Sequence, residues 1–230
     1  MRIDYGKELT AVKDAILLMT TGVEKMVSDS VHALKTKDVI LAEDVIRRDD
    51  LIDHQEIDLT MMVGEIIARQ APVATDLRRL ASSYKIVTNL ERIADLSVNI
   101  AKKVLELQNE TYMKELIDIP KACDQAQELL KVCIESYIND DISQIKKVID
   151  LEDDIDDLNY KIQSECLAYM MRDSKNVKQG SNFIFVGSYL ERIGDHATNI
   201  FETVFYISTG KMIDFNDLDE EIVKGALNIQ

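Results

Sequence analysis

Tryptophan is absent from this chain of 230 residues, and proline (two), glycine (eight) and cysteine (three) are scarce. So few turn-formers leave few places to break a chain, which argues against a sandwich or barrel of many short strands. Basic residues are also in short supply: 27 Lys+Arg face 42 Asp+Glu, a formal net charge of −15. A chain this acidic is a poor candidate for binding nucleic acid through a basic patch, and anionic lipid repels it. It suits a protein that holds cations or meets a basic partner surface. No apolar run approaches the roughly 18 residues needed to cross a bilayer, so no membrane insertion is expected. Cys123, Cys133 and Cys166 are odd in number and lack Cys-x-x-Cys spacing. They read as buried free thiols in a reducing compartment, not as a disulfide framework. The opening MRIDYGKEL has no basic stretch leading into an apolar one. No signal peptide is therefore expected, and the location expected is cytoplasmic.

Hydrophobic residues make up 46% of the chain and charged residues 30%. That is enough apolar content for one large folded domain or two small ones. Apolar residues recur at helical spacing almost throughout. Leu9, Val12, Ile16, Met19, Val23 and Met26 form the seam of a first helix, which breaks at Lys35–Asp38. A second carries Leu41, Val45, Ile52, Leu59, Val63 and Ile66 and ends near Pro72. Thr75 or Asp76 is expected to cap a third, whose seam runs Leu80, Tyr84, Val87, Ala94, Val98, Ala101. The rhythm is lost over 108–119. Pro120 suits the first turn of a fourth helix, which runs to about Tyr137. Asn139, Asp140 and Asp141 make a turn before a fifth helix carrying Ile145, Val148, Ile155, Leu158, Ile162 and Cys166. A polar linker around Arg172–Asn176 leads to a sixth, stopping at Gly210. The expected fold is all-α, with six long helices forming two pseudo-symmetric three-helix bundles. The first bundle is expected over residues 1–110 and the second over 118–213, with an acidic tail from 214 to 230. Met61-Met62 and Met170-Met171 are expected to fill gaps in the core.

The two halves align with each other. Glu91-Arg92-Ile93-Ala94-Asp95-Leu96-Ser97-Val98-Asn99-Ile100 matches Glu191-Arg192-Ile193-Gly194-Asp195-His196-Ala197-Thr198-Asn199-Ile200. Asp49 to Asp53, following Val45-Ile46, matches Glu152 to Asp156, following Val148-Ile149. Most matched residues are polar, and core periodicity alone does not constrain those. At about 100° per residue, Glu91, Asp95 and Asn99 climb away from the edge of the apolar face of the third helix. Asp49 and Asp53 lie at the matching edge of the second. Adjacent helices would then present two carboxylate ridges to one surface groove, and the repeat would build a second such groove.

Carboxylates at i, i+4 on a helix repel by roughly 0.2–0.5 kcal/mol in water. One such pair reads as a solvated face; four pairs, two in each half of an internal repeat, need an attractive partner. Arg92 and Arg192 turn away from their neighbouring glutamates and are expected to serve at most one acid each. The other partner is a metal cation on hard oxygen ligands, such as magnesium, manganese, calcium or iron. With no cysteine ligands in the motif, a structural zinc site is disfavoured. With no Glu-x-x-His and acids only at the core edge, so is a buried di-iron oxidase site. His196 is expected to play a supporting or surface role. His54 and His32 have no case as ligands. No glycine-rich phosphate loop, Ser-His-Asp arrangement or nucleophilic cysteine is evident. Two alternatives stay open: a metal-dependent phosphohydrolase using the same acids, and a plain helical scaffold with solvated acids.

The doubled Glu-Arg-Ile-x-Asp-x-x-x-Asn segment resembles the PhoU family of phosphate-signalling regulators. The resemblance extends over about residues 5–213. It includes Ala68-Arg69-Gln70, Pro72 and Asp76-Leu77-Arg78 before the first motif, and Phe205-Tyr206 with Gly210 after the second. Ala94 departs from the family's usual glycine, which Gly194 keeps. The resemblance implies multinuclear metal clusters of iron, manganese or magnesium on each bundle. On this chain the ligand positions are Asp49, Asp53, Glu91, Asp95 and Asn99, and Glu152, Asp156, Glu191, Asp195 and Asn199. It further implies a cytoplasmic, non-enzymatic homodimer that restrains phosphate uptake and the phosphate-starvation response. The implied partners are the ATPase subunit of the phosphate ABC transporter and a phosphate-sensing membrane histidine kinase.

Overall fold

The computed structural model describes residues 2–215. Six long helices account for nearly all of them: α1 Arg2–Thr36, α2 Val39–Gln70, α3 Ala74–Leu107, α4 Asp118–Asn139, α5 Ile145–Arg172 and α6 Val177–Thr209. A single 3-10 turn, Ser174–Asn176, precedes α6. Among the described residues, no helix is long and apolar enough to cross a membrane. The acidic tail expected from 214 lies, beyond Phe215, outside the described residues.

Helix ends follow local chemistry. The Asp38 carboxylate accepts from the Leu41 amide at 2.9 Å, capping α2 where the polar break stood in the sequence. Asp140 ends α4 in the left-handed region at φ 54°, and Gly210 ends α6 at φ 74°. The Gly210 N–H closes on the Tyr206 carbonyl at 2.9 Å. Glycine suits such a cap because it carries no Cβ to clash. The start of α3 differs from expectation: Val73 is the cap residue and gives no side-chain hydrogen bond. Thr75 and Asp76 instead fall inside the first turn, where the Asp76 charge favours the helix dipole.

The expected seams are the core. Val12, Ile16, Met19, Val23 and Met26 of α1 are buried, as are Val45, Ile52, Leu59, Val63 and Ile66 of α2. The methionine expectation fails in part: Met61, Met62 and Met171 are exposed. Only Met170 is partly enclosed, and it lies against α6, where a Cβ on Gly180 would come 2.7 Å from its Cγ. Helices α1 to α3 pack on one another as one bundle and α4 to α6 as another. The two join along α3 against α6 and α1 against α4. Ser83, Ala94 and Ser97 on α3 and Ala197 on α6 are fully buried, and Ser83 meets the Tyr137 hydroxyl of α4 at 3.4 Å. The three cysteines are buried and free.

Polar contacts pin the junction. Lys13 of α1 donates to the Ile138 carbonyl at 3.0 Å and lies over the Tyr137 ring. Arg79 of α3 pairs with Asp140 at 2.6 Å. The irregular stretch after α3 is anchored too: Tyr112 donates to the Leu34 carbonyl at 2.7 Å and meets Phe183 edge-on at 5.2 Å. Phe183 is 1% exposed. Phe183→Ala is predicted to destabilise the protein by about 3–5 kcal/mol, read from urea unfolding. A loss below about 1 kcal/mol would show that this joint carries no weight.

Candidate functional site

Buried neighbours fix which way the acids turn. Ile52 is 2% exposed and sets the rotation of α2. Asp49 is thereby left half-buried at the edge, with Asp53 further out in solvent. On α3, Leu90, Ile93 and Ala94 are fully buried, leaving Glu91 and Asp95 half-exposed beside them. Ile155 on α5 and Leu190 and Ile193 on α6 do the same in the second bundle. There Glu152 and Glu191 are half-buried while Asp156 and Asp195 are exposed.

The carboxylates feel one another across each helix pair. Burial pushes the Glu91 carboxyl up to about 7, and Asp95 on its own helix and Asp53 on α2 add to the rise. Asp49 is raised to about 6, first by burial and then by Asp53 and by Asp95 on α3. Glu152 is raised to about 7 by burial, then by Asp195, Asp156, Asp153 and Glu202. Asp156, Glu191 and Asp195 are also held above the ordinary carboxylate range, each chiefly because the neighbouring helix displaces part of its surrounding water, even where the side chain stays exposed. Burial and like charge both disfavour the ionised form. Asp49, Asp53, Glu91 and Asp95 thus lie within electrostatic reach of one another between α2 and α3, and Glu152, Asp156, Glu191 and Asp195 line a groove between α5 and α6. Asn99 sits half-buried one turn beyond Asp95. Asn199 lines the second groove directly.

The second groove encloses about 360 Å³. Two further oxygen-bearing residues line it, Thr198 and Glu202, and Phe215 closes one end. Glu202 falls two helical turns after Asp195, so its spacing carried the signal. The comparison of halves hid it, because the first half has Lys102 at that place. Phe215 stacks edge-on to Phe201 at 5.8 Å, and its N–H donates to Glu202 Oε1 at 3.2 Å.

Arg92 corrects the sequence reading. It reaches both Glu91, at 3.4 Å, and Asp95, at 3.5 Å, rather than one acid alone. Its side chain is 57% exposed, so water screens both contacts. His196 turns toward α3, where Nδ1 meets Asn89 Oδ1 at 2.9 Å. An amide oxygen accepts, so Nδ1 carries the proton. Burial, with Arg192 and Arg92 nearby, lowers the His196 pKa and keeps the ring neutral. That ring ties the two motif helices together.

The donor set fits a hard cation: carboxylate, amide and hydroxyl oxygens at a half-buried edge. Among the described residues, no three His, Cys, Asp or Glu side chains converge closely enough to clasp an ion as they stand.

A raised carboxyl binds its proton more tightly folded than unfolded. The native state therefore holds more protons than the unfolded one between the ordinary value of 4.5 and about 7. Stability falls as pH rises through that window. In the presence of chelator, the melting temperature is predicted to drop from pH 4.5 to pH 7.5, and Glu152→Gln should flatten the drop. An equal slope in wild type and Glu152→Gln would contradict this electrostatic picture.

Comparison with known proteins agrees with the fold. The PhoU domain family model matches residues 16–104 and 119–204. A phosphate-specific transport system accessory protein PhoU homolog from Clostridium acetobutylicum is 35% identical, covering 93% of this chain and 98% of that protein. One of the same description from Borreliella burgdorferi is 34% identical over 93% of this chain and 99% of its own. The crystal structure of PhoU from Pseudomonas aeruginosa superposes with a TM-score of 0.86 at 32% identity, covering 90% of this chain and all of that one. The chain belongs to the PhoU family.

Proposed function

We propose that this protein is a regulatory accessory of phosphate-specific transport. It restrains phosphate uptake and starvation signalling by contact, not by catalysis. Membership of the family supports the coarse reading, since relatives of similar length carry the name of transport-system accessory proteins. The finer reading assigns two partners, the ATPase subunit of the phosphate transporter and a phosphate-sensing histidine kinase. It places the protein in the cytoplasm as a homodimer.

The second part of the reading is that both grooves hold metal ions. Asp49, Asp53, Glu91, Asp95 and Asn99 would supply oxygens in one groove. Glu152, Asp156, Glu191, Asp195 and Asn199 would do so in the other. Bound there, divalent or trivalent iron, manganese or magnesium would neutralise the crowded carboxylates and bridge neighbouring helices. The observation that carries this is Glu152. It is half-buried, faced by Asp156, Asp195 and Glu202, and has no ion pair among the described residues. No cationic side chain lines the second groove among the described residues to hold a phosphate ester, which counts against a hydrolase using the same acids.

The purified protein is expected to capture the transporter ATPase or the kinase in a pull-down performed with and without Mn²⁺. Binding to neither partner under both conditions would defeat the adaptor reading.

A further inference from the structure

The two grooves are not equivalent. Extending the match of Glu191–Ile200 over Glu91–Ile100 pairs Thr198 with Val98 and, two residues further on, Glu202 with Lys102. We propose that the second groove is the tighter of two divalent-cation sites, because Thr198 and Glu202 add oxygen ligands where the first groove presents Val98 and Lys102. This rests on the grooves being cation sites, and the test below separates the two claims.

Thr198 points to a ligand independently of the acids. It is 4% exposed, and its Oγ1 has no hydrogen-bond partner among the described residues. A threonine inside a helix ordinarily bonds back to the carbonyl one turn before it. Thr203 does so to the Asn199 carbonyl at 2.8 Å, and Thr20 to the Ile16 carbonyl at 2.9 Å. Thr198 makes no such bond and lines the groove with the carboxylates. A buried hydroxyl without a partner is unfavourable; a hard cation, or water held by one, would take its oxygen.

Glu202 supplies the charge. The Phe215 N–H occupies part of Oε1, and Lys85 Nζ stands 3.8 Å from Oε2. Each carboxylate oxygen has further lone pairs to offer. In the first groove Lys102 does the reverse: its cation opposes the rise of Asp49 and repels an incoming ion. Val98 is buried and offers no donor. Glu56, which accepts from Thr88 at 3.0 Å, adds an acid near Glu91 that the second half replaces with Asn159, so it balances Glu202 in charge. Affinity for hard divalent ions follows ligand number and ligand charge; each groove has one extra acid and one nearby lysine, Glu56 with Lys102 and Glu202 with Lys85, so the unpartnered Thr198 oxygen decides for the second groove.

Mn²⁺ titrated into the metal-stripped full chain, followed by calorimetry and by electron paramagnetic resonance of free Mn²⁺, tests this. Wild type should show two classes of sites separated by about tenfold or more in Kd. Thr198→Val with Glu202→Gln should weaken the tight class about tenfold and leave the weak class in place. Asp95→Asn should affect only the weak class, identifying it with the first groove. Lys102→Glu, a change on an exposed side chain, should tighten the weak class and gives a second arm should the double variant fail to fold. Circular dichroism checks folding of each variant. A single class in wild type, or a tight class unmoved by Thr198→Val with Glu202→Gln, overturns the inequality while the cation reading stands. No Mn²⁺ uptake by wild type overturns both.

Discussion

The packing of α3 against α6 is the contact on which the rest of the molecule depends. Both helices are surrounded: α3 also meets α1 and α2, and α6 also meets α4 and α5. Each therefore buries most of its circumference, including Ser97 and Asn89 on α3 and Thr203 and Asn182 on α6. What remains open is a strip beside the next helix of its own bundle. The Glu-Arg-Ile-x-Asp motifs occupy that strip, so their acids cannot swing fully into water. Close packing at the centre thus causes the electrostatic tension at the edge.

In the proposed reading, bound cations relieve that tension. A cation that binds the folded grooves and not the unfolded chain stabilises the fold by about 2.7 kcal/mol when present at a hundred times its Kd. It would also screen part of the −15 formal charge and present a changed surface to a partner. His196 is placed to link the two halves, since its ring bonds Asn89 on the opposite motif helix one residue after Asp195. Ion occupancy in one groove and the packing of the central helices are therefore adjacent in space as well as in sequence.

Most of the fold was legible in the sequence because apolar spacing is a direct record of burial. Nearly every seam residue read from periodicity is in the core, and the polar breaks at Lys35–Asp38 and Asn139–Asp141 are where helices end. Motifs shared between the halves pointed to the acid ridges for the same reason, since rotation about a helix is fixed once Ile52 or Ile155 is buried. Besides the cap of α3, three features escaped. Met61, Met62 and Met171 are as apolar as core residues, and nothing local says that their face lacks a covering helix. The reach of Arg92 to two acids depends on a flexible side chain and not on its helical angle. Thr198 and Glu202 lie where the halves differ, so a reading based on what the halves share passed over them.

The central claim is that cations offset the repulsion in these grooves. Anomalous diffraction from a crystal of the protein grown with Mn²⁺, recorded at the manganese edge, tests it most directly. The account predicts strong peaks between α2 and α3 and between α5 and α6, with carboxylate oxygens of Asp49, Glu91, Glu152 or Glu191 turned onto them. A map with no peak in either groove, and with those carboxylates still spread apart, would contradict it.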